Sequence, residues 1–101
     1  MYATIRKYKL DPKGALDVLK GFETGLLPIF KGMPGFVSYN AMNGGNGIVF
    51  SVTIFTSQSG AEASNKKAAE WVAKNLPSLL PTFPEITLGE VAVHEVNPNP
   101  K

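Results

Sequence analysis

The fold is decided by residues 36–55, which read FVSYNAMNGGNGIVFSVTIF. Two runs rich in aromatic and β-branched residues, 36–42 and 48–55, flank the segment NGGNG at 43–47. Runs of this composition are typical of strands, and Gly and Asn tolerate the positive φ angles that tight hairpin turns require. The stretch therefore predicts a β-hairpin made by the second and third strands of the chain.

Before the hairpin, the sequence predicts a strand followed by a helix. Residues 2–10 contain neither Gly nor Pro and read as the first strand. Asp11-Pro12 suits a helix start, because Asp caps a helix and Pro fits its first turn. An apolar stripe then predicts a helix over 13–30, which Pro28 kinks or ends. The stripe consists of Leu16, Leu19, Phe22, Leu26 and Phe30.

After the hairpin, the sequence predicts a second helix and a last strand. Ser59 and Glu62 fit a capping box, and Pro77 ends the helix near Asn75. Residues 86–96 alternate weakly and predict the fourth strand, while 97–101 form a flexible tail. With right-handed crossovers, the order βαββαβ predicts one ferredoxin-like α+β domain over 1–101. Its four-stranded antiparallel sheet has strands one and three in the centre.

Both faces of the predicted sheet carry apolar groups. The third strand places Phe50, Val52 and Ile54 on one face, and Val49 and Phe55 on the other. Two helices cover only one face of such a sheet, and soluble monomers rarely expose a large contiguous apolar patch. We therefore expect a homodimer that buries the uncovered sheet face; the alternative is a monomer with an amphipathic sheet.

Composition argues against several classes of protein. The formal net charge is +2, and the lysines are scattered without forming a basic stripe, so we expect no nucleic-acid binding. No run reaches the ~20 apolar residues of a membrane helix, and residues 1–6 lack the apolar run of a signal peptide. The absence of cysteine rules out disulfides and thiolate chemistry, which favours a cytoplasmic location. One histidine and dispersed carboxylates predict no metal site.

Two segments resemble a known family. Residues 33–39, MPGFVSY, resemble the P-G-F-x-x-Y entry into strand two of the antibiotic biosynthesis monooxygenase-like family, within the dimeric α+β barrel superfamily. Residues 52–57, VTIFTS, with the Ala-rich helix that follows, are similar to that family's third strand; Trp71 and Leu79-Leu80 also fit. The resemblance covers residues 2–96. It implies a homodimer whose two sheets face each other as a barrel, with a pocket between sheet and helices in each subunit.

The resemblance also carries functional expectations. Some members oxidise aromatic polyketides with O₂ and without metal or flavin, others degrade haem, and many have no assigned activity. This chain has Ser64 where members often carry His, and Thr4 and Arg6 where haem degraders use a strand-one Asn. These departures argue against haem degradation. We expect a cofactor-independent monooxygenase-like protein acting on a small aromatic or quinone-type substrate; the alternative is a non-catalytic dimeric module that binds a small ligand or a partner.

Two residues are predicted to be catalytic, because cofactor-free oxygenation needs a base or a cation that stabilises the deprotonated substrate. His94 is the one side chain with an unperturbed pKa near neutrality. Arg6 shares a strand face with tyrosines and could hold a phenolate or carboxylate. The alternatives are an ordinary strand histidine and a cross-strand ion pair of Arg6 with Glu90 or Glu95.

Four further residues are predicted to bind the ligand. Trp71 could stack on an aromatic ring, or could simply belong to the core. Tyr39, Asn40 and Phe55 are candidates through their places in the family-like strands. No cofactor and no metal ion are expected.

Overall fold

The sheet has the predicted ferredoxin-like topology. The computed structural model describes residues 1–100. Four antiparallel strands pair in the order β2-β3-β1-β4, which confirms that strands one and three lie in the centre. Their bounds are β1, Tyr2–Lys9; β2, Phe36–Gly45; β3, Ile48–Phe55; and β4, Glu85–Glu90.

The first helical segment is built from four pieces instead of one regular helix. A 3₁₀ turn, Pro12–Gly14, leads into α1 (Ala15–Gly21), a π-helical stretch (Phe22–Leu26) and α2 (Leu27–Lys31). Pro28 lies in the first turn of α2, where its missing N–H needs no partner, so the chain stays helical past it.

The buried stripe of this segment differs from the predicted one at its start. Leu16 is 74% exposed, and Ala15 and Val18 take its place in the core. The buried residues Val18, Phe22, Leu26 and Phe30 then follow at intervals of four. An α-helix advances about 3.6 residues per turn, so this spacing would drift around its surface. The π-helical stretch widens the turn and keeps the stripe facing the sheet.

The second helix, α3, spans Gln58–Asn75 and ends where predicted. Its cap differs from the expectation, because Ser57 and not Ser59 is the N-cap. The Ser57 Oγ accepts a hydrogen bond from the Gly60 N–H at 3.0 Å. The face that α3 turns to the sheet carries small side chains, with Ala61, Ser64 and Ala68 buried.

The hairpin turn consists of Asn46 and Gly47, both with positive φ, as a two-residue primed turn requires. Leu10 N–H donates to the Gly47 carbonyl at 2.9 Å, which fixes the turn against the end of β1. At the other end of β2, the register shifts between Phe36 and Ser38. This bulge places Phe36 and Tyr39 on the same, helix-covered face.

Strand β4 is shorter than predicted, ending at Glu90 instead of Val96. Its only neighbour is β1, whose first residue, Tyr2, pairs with Glu90. One more hydrogen bond joins Val91 N–H to the Met1 carbonyl at 2.9 Å. Beyond it the chain has no strand beside it, so residues 92–100 lie exposed outside any helix or strand.

The two sheet faces have unusual polarity. The first helical segment packs on β2 and β3, and α3 packs on β1 and β3. The face they cover carries five polar or partly polar side chains, all buried: Thr4, Arg6, Tyr8, Ser51 and Thr53. The bare face carries half-buried apolar groups on β3, namely Ile48, Phe50, Val52 and Ile54. Ile5 and Met42 on the same face are 46% and 49% exposed.

Candidate functional site

A cavity of about 270 Å³ lies between α3 and the β1–β4 side of the sheet. The helices pack mainly on β1, β2 and β3, and the connection from α3 to β4 covers the β4 end of the sheet. Most of its lining is apolar: Ala68, Ala69, Val72 and Ala73 from α3, Pro77, Leu80, Pro81, Phe83 and Pro84 from the connection, and Ile86 from β4. Its polar lining residues are Arg6, Tyr8, Asn65 and Thr82.

Arg6 is the chain's only arginine and is 1% exposed. Its Nη2 donates to Asn65 Oδ1 at 2.6 Å and to Ser64 Oγ at 3.4 Å, and its Nη1 donates to Ser51 Oγ at 3.5 Å. The guanidinium also lies 5.5 Å from the centre of the Phe30 ring. Its Nε–H is buried without a hydrogen-bond partner. The small Ser64, one turn from Ala61 and Ala68, leaves α3 room for this side chain.

The charge of Arg6 is not balanced by a carboxylate. All three of its hydrogen-bond acceptors are neutral oxygens. Burial lowers the pKa of Arg6, while the nearby Tyr8 and Tyr39 oppose that shift. A guanidinium nevertheless stays protonated in proteins. Burial also raises the pKa of Tyr8, with Arg6 acting in the opposite direction, so Tyr8 is a neutral phenol beside a fixed cation.

The cross-strand ion pair that was the alternative for Arg6 is absent. Arg6 stands opposite Ile86 on β4, whereas Glu90 stands opposite Tyr2. Glu95 lies exposed in the segment after β4. The side chain of Arg6 turns toward α3 and not along the sheet, because its face is the one that the helices cover.

The structure brings only one of the six predicted site residues to the cavity, and that residue is Arg6. Trp71 packs in edge contact with Phe22, with ring centres 6.4 Å apart. Phe55 is fully buried in the core. Trp71 and Phe55 therefore pack in and against the core and do not line the cavity.

The other three predicted residues lie apart from one another. Tyr39 packs on Phe30 at 5.1 Å and borders a shallow groove beside Leu27. Asn40 is exposed on the bare sheet face, opposite Val52. His94 is exposed in the segment after β4. The site roles predicted for these three residues stay predictions.

Sequence reasoning missed the residues that form most of the cavity. Tyr8 could have been predicted as a site residue, because Tyr8 lies two residues from Arg6 on the same strand face. Asn65 carries a weaker signal, as the polar neighbour of Ser64 on an otherwise Ala-rich helix face. The connection that supplies Leu80 and Phe83 has no regular pattern, so nothing in it indicates which side chains turn inward.

Residues 1–100 contain neither a metal-binding cluster nor a membrane-spanning helix. Over residues 1–100, no three His, Asp or Glu side chains cluster closely enough to hold a metal ion. In the same part of the chain, no helix is both long and apolar enough to cross a membrane.

Comparison with known proteins supports the fold. No family model matches the sequence, and no curated protein matches it. Solved structures do match. A monooxygenase from Streptomyces coelicolor in complex with nanaomycin D is 16% identical, with a TM-score of 0.75 over 95% of this chain and 91% of the other. A provisionally assigned antibiotic biosynthesis monooxygenase from Nitrosomonas europaea is 11% identical, with a TM-score of 0.73 over 92% and 100%.

A third similar structure is a haem degrader from Mycobacterium tuberculosis with two haems in its active site. It is 18% identical, with a TM-score of 0.71 over 95% of this chain and 100% of the other. These likenesses confirm the sequence resemblance at the level of the fold. The chain has the α+β fold of antibiotic biosynthesis monooxygenase-like proteins.

Proposed function

We propose that this protein is a homodimeric, monooxygenase-like protein that takes a small aromatic or quinone-type substrate into the cavity between α3 and β4. The observation that carries the proposal is a ring-sized apolar cavity with one buried cation in its wall. At about 270 Å³ it exceeds the cavity that holds benzene in an engineered protein, roughly 150 Å³. It is just below the ~300–1,000 Å³ range of ligand pockets, which suits a small ring.

The residues support a defined chemistry. An activated ring methylene, such as that of an anthrone, loses a proton to give an enolate, and the enolate reacts with O₂. The methylene becomes a carbonyl and the second oxygen atom leaves as water, so the substrate supplies all the electrons. Arg6 would stabilise the enolate oxygen, because a fixed cation in a dry site favours developing negative charge. The apolar lining would hold the ring and exclude water.

Haem is a poor fit to this cavity. The volume is below that of pockets for drug-sized ligands, and a porphyrin is larger still. No histidine lines it, and the chain's one histidine, His94, lies outside it. Haem binding therefore has no support from these residues.

The dimer part of the proposal rests on the bare sheet face. Its centre is the apolar row Ile48, Phe50, Val52 and Ile54, flanked by Ile5 and Met42. A standard interface buries about 800 Å² per partner, which a four-stranded face can supply. Facing sheets would also bring the exposed segments after β4, with His94, next to a second copy.

A second function is favoured by one observation. No side chain with an ordinary pKa near neutrality lines the cavity, so a built-in base for the first proton transfer is missing. The protein would then be a non-catalytic dimeric module that binds a small ring.

Oxygen uptake with a panel of anthrones and hydroquinones separates the two functions. We expect consumption of one O₂ for each anthrone converted to anthraquinone. Ala69→Trp should abolish it by filling the cavity mouth from α3, while the matched variant Ala63→Trp, exposed on the same helix and outside the lining, should keep it. Ligand binding without oxygen consumption above buffer would reject the enzyme and leave the binding module.

A further inference from the structure

Arg6 places an uncompensated positive charge in the wall of the cavity. A buried charge is costly unless it is paired, and buried arginines ordinarily meet carboxylates or phosphates. Here the guanidinium has only neutral acceptors, and its Nε–H has none. The side chain is 1% exposed, so bulk water does not supply the missing partner.

The surroundings of Arg6 contain neutral hydroxyl and amide groups. The hydroxyls of Thr4 and Thr53 are also buried without partners on the same sheet face. Thr4 and Thr53 stand opposite each other, two residues along the strands from the Arg6–Ser51 pair. A buried cation that meets only neutral polar groups lacks a counter-ion, and an anionic ligand in the adjoining cavity would supply one.

We propose that the cavity takes a ligand that carries an oxyanion, a carboxylate or phenolate on a small planar ring, and that the fixed charge of the Arg6 guanidinium in the cavity wall neutralises it. The inference rests on the proposed function only in using the same cavity; it requires no catalysis. The apolar lining receives the ring, and the charge of Arg6 selects the ionised over the neutral ligand. Asn65 holds the guanidinium in place through its 2.6 Å bond, so it is a positioning residue.

The first test compares 2-naphthoate with the neutral 2-naphthamide by calorimetry at pH 7.5. We expect the carboxylate to bind roughly tenfold or more tightly, the scale of one charge-assisted hydrogen bond. Arg6→Met should remove the preference. Arg6→Lys should keep part of it, because the charge remains while the planar guanidinium is lost.

Asn65→Asp keeps the test decisive if loss of Arg6 prevents folding. The new carboxylate would stand where Asn65 Oδ1 now accepts from Arg6, so it would neutralise the guanidinium from within. We expect this variant to lose at least roughly tenfold in affinity for 2-naphthoate and to keep its affinity for 2-naphthamide. Asn99→Asp makes the same charge change in the exposed segment after β4 and should bind both ligands as the wild type does.

A second arm identifies the source of the oxyanion. 4-Nitrophenolate is coloured and the neutral phenol is not, so binding at Arg6 should shift the titration of bound 4-nitrophenol to lower pH. A preference for naphthoate alone assigns a carboxylate, and a nitrophenol shift alone assigns a phenolate. Equal binding of naphthoate and naphthamide together with an unshifted nitrophenol titration would overturn the proposal. Because the binding of these probes involves no oxidation, the oxygen-uptake results do not decide whether the cavity binds an oxyanion.

Discussion

The indole ring of Trp71 lies directly against Gly25 in the π-helical stretch. A Cβ atom built on Gly25 would fall 2.7 Å from Cε2 and 3.0 Å from Nε1 of Trp71. No Cβ tolerates contacts this short, so Gly25 is what lets α3 approach the first helical segment here.

Gly25→Ala should therefore destabilise the protein, although Ala is the better helix former. The helix preference gains roughly 1 kcal/mol, whereas displacing a packed ring costs roughly 1–3 kcal/mol. We expect a net loss in the free energy of unfolding, measured by urea denaturation. Gly89→Ala is the control, because a Cβ there meets nothing within 4 Å. Equal stability of the two variants would show that Trp71 moves aside freely.

Tyr39→Phe tests a buried hydroxyl that lies near the Ser51 hydroxyl without a well-formed hydrogen bond to it. Burial raises the pKa of Tyr39 above its ordinary value of about 10. Below pH 10, the folded and unfolded chains both hold the proton and stability is full. Above it, the unfolded chain deprotonates first, so stability falls as pH rises.

We expect Tyr39→Phe to be as stable as the wild type or more so at pH 7, and to lose less stability between pH 9 and 11 than the wild type. Urea unfolding over that range measures both effects. Tyr2→Phe, at the half-buried start of β1, is the matched control. A loss of stability at pH 7 in Tyr39→Phe would mean that the hydroxyl does have a partner in solution.

Val52→Glu tests the bare sheet face. Val52 lies at its centre, between Ile5 on β1 and Asn40 on β2. A carboxylate there would be desolvated in a dimer and solvated in a monomer. We expect the wild type to sediment at twice the chain mass of 10.8 kDa and the variant at the chain mass. Leu16→Glu, on the exposed side of α1, should remain dimeric.

Phe83→Ala tests how the cavity closes over its ligand. Phe83 lines the cavity and yet is 94% exposed, so a bound ring would cover it. Burying a phenyl side chain contributes roughly 1.5–3 kcal/mol, and we expect about a tenfold or greater loss of affinity for 2-naphthoate. Thermal unfolding of the free protein should be unchanged. An unaltered affinity would show that the ligand lies deeper, against Leu80 and Ala68.

Most of the fold was predictable, because strand and helix periods differ and the turns carry Gly, Asn and Pro. The exact course of the first helical segment was less accessible. The spacing of four from Val18 to Phe30 was visible, but a π-helical stretch is rare enough that a stripe beginning at Leu16 fits an ordinary helix equally well. The end of β4 depends on where its neighbour starts, which no local pattern records.

The candidate site was predictable only at Arg6. The sequence correctly predicts that Arg6 and Tyr8 share one face of β1. Whether Arg6 is buried depends on which sheet face the helices cover, and the sequence does not show this. Both faces of residues 48–55 carry apolar side chains, so the sequence leaves open which face the helices cover, and the structure turns the row Ile48 to Ile54 outward. Trp71 lies only six residues from Asn65 on α3. It nevertheless lies on a different side of the helix, away from the cavity.

Three prolines, Pro77, Pro81 and Pro84, stiffen the connection that roofs the cavity. Because this connection has few accessible backbone conformations, it is preorganised before the ligand binds, and binding costs little backbone conformational entropy. Ligand entry should then depend on the rotation of single side chains. A variant with glycine at these three positions should bind the same ligand more weakly without a change in ligand preference.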